Sequence, residues 1–60
     1  MLTDKEKEVL RLKKEGLNQQ EIAKKLKISQ PAVSSFYSNA IRKIRDAEEI
    51  LKLKKEFGIE

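Results

Sequence analysis

Apolar residues recur along this chain in short groups at helical spacing, and the groups in its middle are separated by a turn too tight to hold anything else. Between Asn18 and Ser38 the apolar positions are Ile22, Ala23, Leu26, Ile28, Val33 and Phe36. Ile22 and Leu26, four apart, share one face of a helix, and Ala23 beside them lets a second helix cross closely. Val33 and Phe36, three apart, give that second helix its inward face, and Ile28 plugs the turn. The pattern is that of a helix-turn-helix. It leaves the outer face of the second helix, with Ser34, Ser35, Ser38 and Arg42, free to enter a DNA major groove, which is about 12 Å wide.

Local signals frame the same elements. Thr3 is a good N-cap, Glu6 three residues later completes a capping box, and Asp4 suits the positive end of the helix dipole. Val9, Leu10 and Leu12 supply a narrow inward stripe. Gly16 ends this first helix, because only glycine takes the left-handed conformation there freely, and Leu17 is then placed to touch Leu12 in a Schellman motif. Asn18 caps a second helix from about Gln19 to Leu26, with Glu21 at the capping-box position and Leu17 placed to staple onto Ile22. Lys27 stands at the turn, where a positive φ costs about 1 kcal/mol. Ser29 caps the third helix, and Pro31 is tolerated in its first turn.

From Val33 the inward stripe runs on through Phe36, Tyr37, Ala40, Ile41 and Ile44, with Tyr37 and Phe36 read as core rather than as stacking platforms. Ser35, Ser38, Asn39 and Arg42 fall opposite. No proline or glycine separates Ile44 from Phe57, so residues 46–57 either prolong the third helix or form a fourth after a turn near Arg45-Asp46. Ile50, Leu53 and Phe57 are spaced three and four apart, as are Ile44, Ala47 and Leu51. These are two apolar edges where one would suffice for packing within the chain, which leaves one to pair with a second copy. Gly58 reads as the terminator, with Ile59 behind it. The expected fold is therefore all-α, a three- or four-helix bundle with a helix-turn-helix over residues 1–45 and an amphipathic, dimerising C-terminal helix over 46–60.

Composition narrows the picture. Sixty residues make one domain, close to the size at which a chain hides only about 60% of its unfolded surface. With no cysteine and no histidine, neither disulfides nor the usual zinc ligands reinforce it, which again favours a partner subunit. The absence of a long apolar run and of a signal peptide pattern predicts a soluble, cytoplasmic protein without a membrane span. The net charge of +4 is unevenly spread: residues 29–45 hold three basic and no acidic side chains, whereas 46–60 hold three basic and five acidic. The acid-free stretch coincides with the third helix, where a polyanion would dock. Serine lowers helix propensity, so three serines within five positions of a helix face want another explanation than solvation. No glycine-rich phosphate loop, thiol or imidazole is present, and the carboxylates sit among lysines, so neither an enzyme nor a cofactor, metal or small-molecule site is expected.

Residues 2–44 resemble the helix-turn-helix domain shared by LuxR-type regulators and region 4 of sigma factors. The resemblance is carried by Leu2-Thr3, Glu8-Val9-Leu10, Gly16-Leu17, Glu21-Ile22-Ala23, Leu26, Ile28-Ser29, Val33 and Asn39 through Ile44. With Val33-Ser34-Ser35 and the Lys-rich tail, the chain looks most like the archaeal Tfx-type members. It departs from the LuxR pattern at Phe36, usually polar or histidine, and at Lys27, usually glycine. The resemblance implies a third helix in the major groove, with Gln30, Ser34, Ser35 and Ser38 facing bases and Gln19, Gln20, Arg42 and Lys43 facing phosphates. It further implies dimerisation through residues 46–57, with Ile50, Leu51, Leu53 and Phe57 at the contact.

The functional expectation is a sequence-preferring double-stranded DNA-binding protein that regulates transcription as a homodimer. The alternative, from a different class, is a small helical adaptor of a transcription complex whose polar helix face meets another protein. The two differ in how binding responds to salt.

Overall fold

The computed structural model describes residues 1–59, and among them three helices account for the chain: α1 Asp4–Lys14, α2 Gln19–Leu26 and α3 Gln30–Glu56. Each starts where its cap predicts. Thr3 and Glu6 form a reciprocal capping box, as do Asn18 and Glu21, and the Ser29 hydroxyl accepts from the Ala32 amide. The open question at Arg45-Asp46 resolves in favour of continuity: α3 runs unbroken for 27 residues, about 40 Å at the rise of an α-helix. Nothing at that point removes a backbone donor or favours a left-handed turn, so residues 46–56 prolong α3. Glu60, the last residue of the expected C-terminal amphipathic segment 46–60, lies outside the described residues.

Each described helix also ends in the same way. After α1, Gly16 has φ 97°, its N–H reaching the Lys13 carbonyl at 3.0 Å and that of Leu17 the Leu12 carbonyl at 3.2 Å. After α2, Lys27 takes φ 57°, with the Ile28 N–H on the Ala23 carbonyl at 3.0 Å. After α3, Gly58 has φ 65°, and the Ile59 N–H meets the Lys54 carbonyl at 3.0 Å. These are Schellman motifs, in which the left-handed residue turns the chain so that orphan carbonyls of the last turn are met. Two use glycine. Lys27 carries a Cβ into the same conformation and bears the strain.

The core lies where the three helices meet. Val9 and Leu12 of α1, Ile22 and Ala23 of α2 and Val33 of α3 are buried together, and Leu17, Leu26, Ile28 and Phe36 close over them. Ala40 is fully buried one turn farther along α3. Fully burying a side chain such as Ile22 or Val9 is worth about 1.5–3 kcal/mol, so this small cluster carries most of the apolar stabilisation. Tyr37 corrects the expected stripe. It is 36% exposed, because the step of about 100° from Phe36 turns it off the buried meridian, and the Lys13 ammonium sits 5.1 Å from the centre of its ring.

Beyond Ile44 the helix leaves the body. Every described residue from Arg45 to Ile59 is exposed, and the molecule measures 45 × 19 × 15 Å. No described helix is long and apolar enough to cross a membrane.

Candidate nucleic-acid interface

The starts of α2 and α3 are joined by a single side chain. The Gln19 Nε2 donates to the main-chain carbonyl of Gln30 at 2.7 Å, using a lone pair that the helical hydrogen bond leaves over. Both helix N-termini carry unsatisfied amides and the positive end of a helix dipole. The tie therefore holds two regions of positive potential side by side. Gln20, next in sequence, is exposed and lies one turn before the exposed Lys24.

The outer face of α3 gathers the expected base-facing positions. Gln30, Ser34, Ser38 and Arg42 follow one another at intervals of four, so they form one row along the helix, and Ser35 lies beside it. All five are exposed, as are Pro31, Asn39 and Arg45 on the same side. The first turns of the row bear short side chains and the later ones bear guanidinium groups. A surface of that profile lets the helix backbone approach a groove closely at one end and reach outward with charge at the other. Tyr37, Ser38, Ile41, Arg42, Arg45 and Asp46 line a shallow depression along one flank of it.

Lys43 is placed differently from its neighbour Arg42. Its ammonium donates to the Glu6 carboxylate at 2.8 Å, and while the Lys43 side chain is 33% exposed, that of Glu6 is only 3% exposed. The Lys43 ammonium, with the Thr3 amide donating at 2.7 Å, holds the Glu6 carboxyl well below its usual range, at about 2. Glu6 thus serves twice, capping α1 and anchoring α3. The sequence offered half of that: the capping role was visible, and Glu6 lies three residues before Val9, on the core-facing side of α1, but its partner stands 37 positions away. The Gln19–Gln30 tie and the Lys13–Tyr37 contact went unseen for the same reason.

The four tail positions expected at a dimer contact are all exposed: Ile50, Leu51 and Leu53 project from the free part of α3, and Phe57 caps its C-terminus. They stand apart from the exposed polar row along the helix.

Comparison with family models matches residues 1–49 to the luxR family of bacterial regulatory proteins, the GerE model. The match takes in α1, α2 and the part of α3 that carries the polar row, and it stops one residue before Ile50. No curated protein and no solved structure matches the chain.

Proposed function

The chain belongs to the luxR family of bacterial regulatory proteins, whose domain binds DNA and regulates transcription, and from that premise we propose that it is a sequence-preferring binder of double-stranded DNA. The N-terminal half of α3 enters the major groove. The observation that carries this reading is the exposed row Gln30, Ser34, Ser38 and Arg42, with Ser35 beside it, in the stretch of chain that holds no acid. Gln30 and the serines face base edges; serine pairs with several of them, so discrimination rests on the set rather than on any one residue.

Phosphates are met from both ends of this face. Gln19 and Gln20 stand at the start of α2, where amides and dipole attract an anion whatever the side chains. Arg42 reaches a strand farther along. Lys43 gives one of its three N–H groups to Glu6 and offers the others to a phosphate. Within the family we place the chain nearest the Tfx-type members, on Val33-Ser34-Ser35 and the Lys-rich tail. Functionally, residues 1–45 read DNA and residues 46–60 pair two copies through Ile50, Leu51, Leu53 and Phe57.

A titration against random-sequence duplex at several salt concentrations tests the reading. Binding through phosphates loses about 0.9 in log K per contact for each decade of salt. A surface that instead docks an apolar helix of another protein responds little to salt, and absence of duplex binding even at low salt overturns the proposal in favour of such an adaptor.

A further inference from the structure

One lysine stands where helical spacing calls for an apolar side chain. On α1, Lys13 follows Glu6 by seven positions and Val9 by four, so it falls on the arc that faces the other helices. Glu6 and Val9 are buried there, and Glu6 has Lys43 as its counter-charge. Lys13 is exposed, and among the described residues no carboxylate lies within ion-pair distance of it. Its ammonium instead sits 5.1 Å from the centre of the Tyr37 ring. An aromatic face attracts a cation without neutralising it, and a lysine so placed keeps its charge at the water.

Tyr37 fixes that charge on a particular side of α3. It follows Gln30 by seven residues, which returns the helix to within about 20° of the same direction, about 10 Å farther along. At Gln30 this side of α3 is held by Gln19, from the start of α2. The end of α1 and the start of α2 therefore meet one flank of α3, the first bringing a cation and the second the free amides of a helix N-terminus. Beside Tyr37 the exposed Arg42 and Arg45 line the shallow depression, with Asp46 the one acid among its lining residues.

We propose that Lys13, held over the ring of Tyr37, contacts a backbone phosphate of bound duplex, so that α1 belongs to the DNA-binding surface. The contact rests on the DNA binding proposed above and adds to it a residue from outside the helix-turn-helix. With the start of α3 in the groove, the flank that carries Gln19 and Tyr37 lies against one wall of that groove. The wall is a row of phosphates, one for about every 3.4 Å of axis along a strand. Tyr37 acts as a positioning residue: its ring holds in place an ammonium that a free lysine would spread over many rotamers, so less order is lost when the phosphate arrives. A contact of this kind strengthens binding to every sequence alike.

Affinity of the full chain for a random-sequence duplex, measured at several salt concentrations, tests the contact. Lys13→Met keeps the length of the side chain and removes its charge. It is expected to weaken binding several-fold at about 0.1 M salt and to make the slope of log K against log salt shallower by about 0.9, the share of one phosphate. Lys13→Gln repeats the measurement with a polar side chain, and Lys13→Arg keeps the wild-type slope. Lys7→Met removes the same charge from an exposed, outward position of α1 and leaves the slope as it was. Tyr37→Phe, which retains the ring, binds like the wild type, whereas Tyr37→Leu loses part of the affinity for all duplexes; full affinity in Tyr37→Leu overturns the positioning role of the ring. Urea midpoints of the same variants separate folding from binding. If the pair only closes the edge of the core, Lys13→Met lowers the midpoint and keeps the wild-type salt slope, and that result overturns the proposal. Equal slope changes in Lys13→Met and Lys7→Met overturn it too, since they report net charge and no contact. A wild-type chain that fails to bind duplex at low salt removes the DNA-binding reading and the contact together; a wild-type chain that binds, with an unchanged slope in Lys13→Met, removes the contact alone.

Discussion

Lys43 of α3 and Glu6 of α1 meet at 2.8 Å with the carboxylate almost wholly enclosed, so the helix that carries the exposed polar row is fastened to the first helix by an ion pair as well as by apolar packing. A carboxylate held at about 2 in the folded chain, against 4.5 for an ordinary one, binds fewer protons folded than unfolded. The sign follows: its stabilising contribution is complete above pH 4.5 and is lost as the pH falls from there towards 2. Unfolding in urea, followed by circular dichroism across that window, is expected to show stability dropping with acid. Glu6→Gln removes this part of the pH dependence and leaves the variant less stable at neutral pH. An unchanged acid limb in the variant would mean that another carboxylate carries it.

Lys27 is the one described non-glycine residue at positive φ, in a turn whose counterparts after α1 and α3 use glycine. Lys27→Gly relieves a strain of about 1 kcal/mol and gives back part of it through the freer unfolded chain. The expected result is a net gain of roughly 0.5 kcal/mol, visible as a higher urea midpoint with unchanged slope. A loss of stability instead would show that the lysine side chain makes a contact worth more than the strain.

The polar row separates into two kinds of residue by what their loss does. Arg42→Ala is expected to weaken binding to all duplexes alike and to reduce the salt slope by about one contact. Ser34→Ala and Ser38→Ala instead shift preference among sequences, by roughly 1 kcal/mol at the affected base pair. Selection of bound duplexes from a random pool, followed by titration at fixed salt, distinguishes them. Uniform losses from the serine variants would place those hydroxyls on the sugar-phosphate backbone.

Much of the fold was legible because its punctuation is local. Thr3, Asn18 and Ser29 cap through bonds that span three residues, and Gly16 and Gly58 terminate through bonds within the last turn, so a short window of sequence contains both partners. The continuity of α3 was not legible, since a chain without glycine or proline permits both a long helix and a short turn. Tyr37 was misplaced because a broad apolar stripe does not say at which residue it crosses from core to surface. In the candidate site, the exposure of Ser34, Ser35 and Ser38 followed from periodicity. The bonds that set its geometry did not, because Gln19 with Gln30 and Glu6 with Lys43 join residues from different helices, and pairing at that distance is decided by how the helices pack.

The unbroken α3 has a bearing on which changes the chain can absorb. Substitutions between Arg45 and Ile50 leave the angular phase between the polar row and the tail intact, whereas inserting or deleting one residue there turns one against the other by about 100°. Seven inserted residues restore the phase to within about 20° while lengthening the span by about 10 Å. The segment is thus permissive to replacement and intolerant of small length changes, a mechanical keyway rather than a linker.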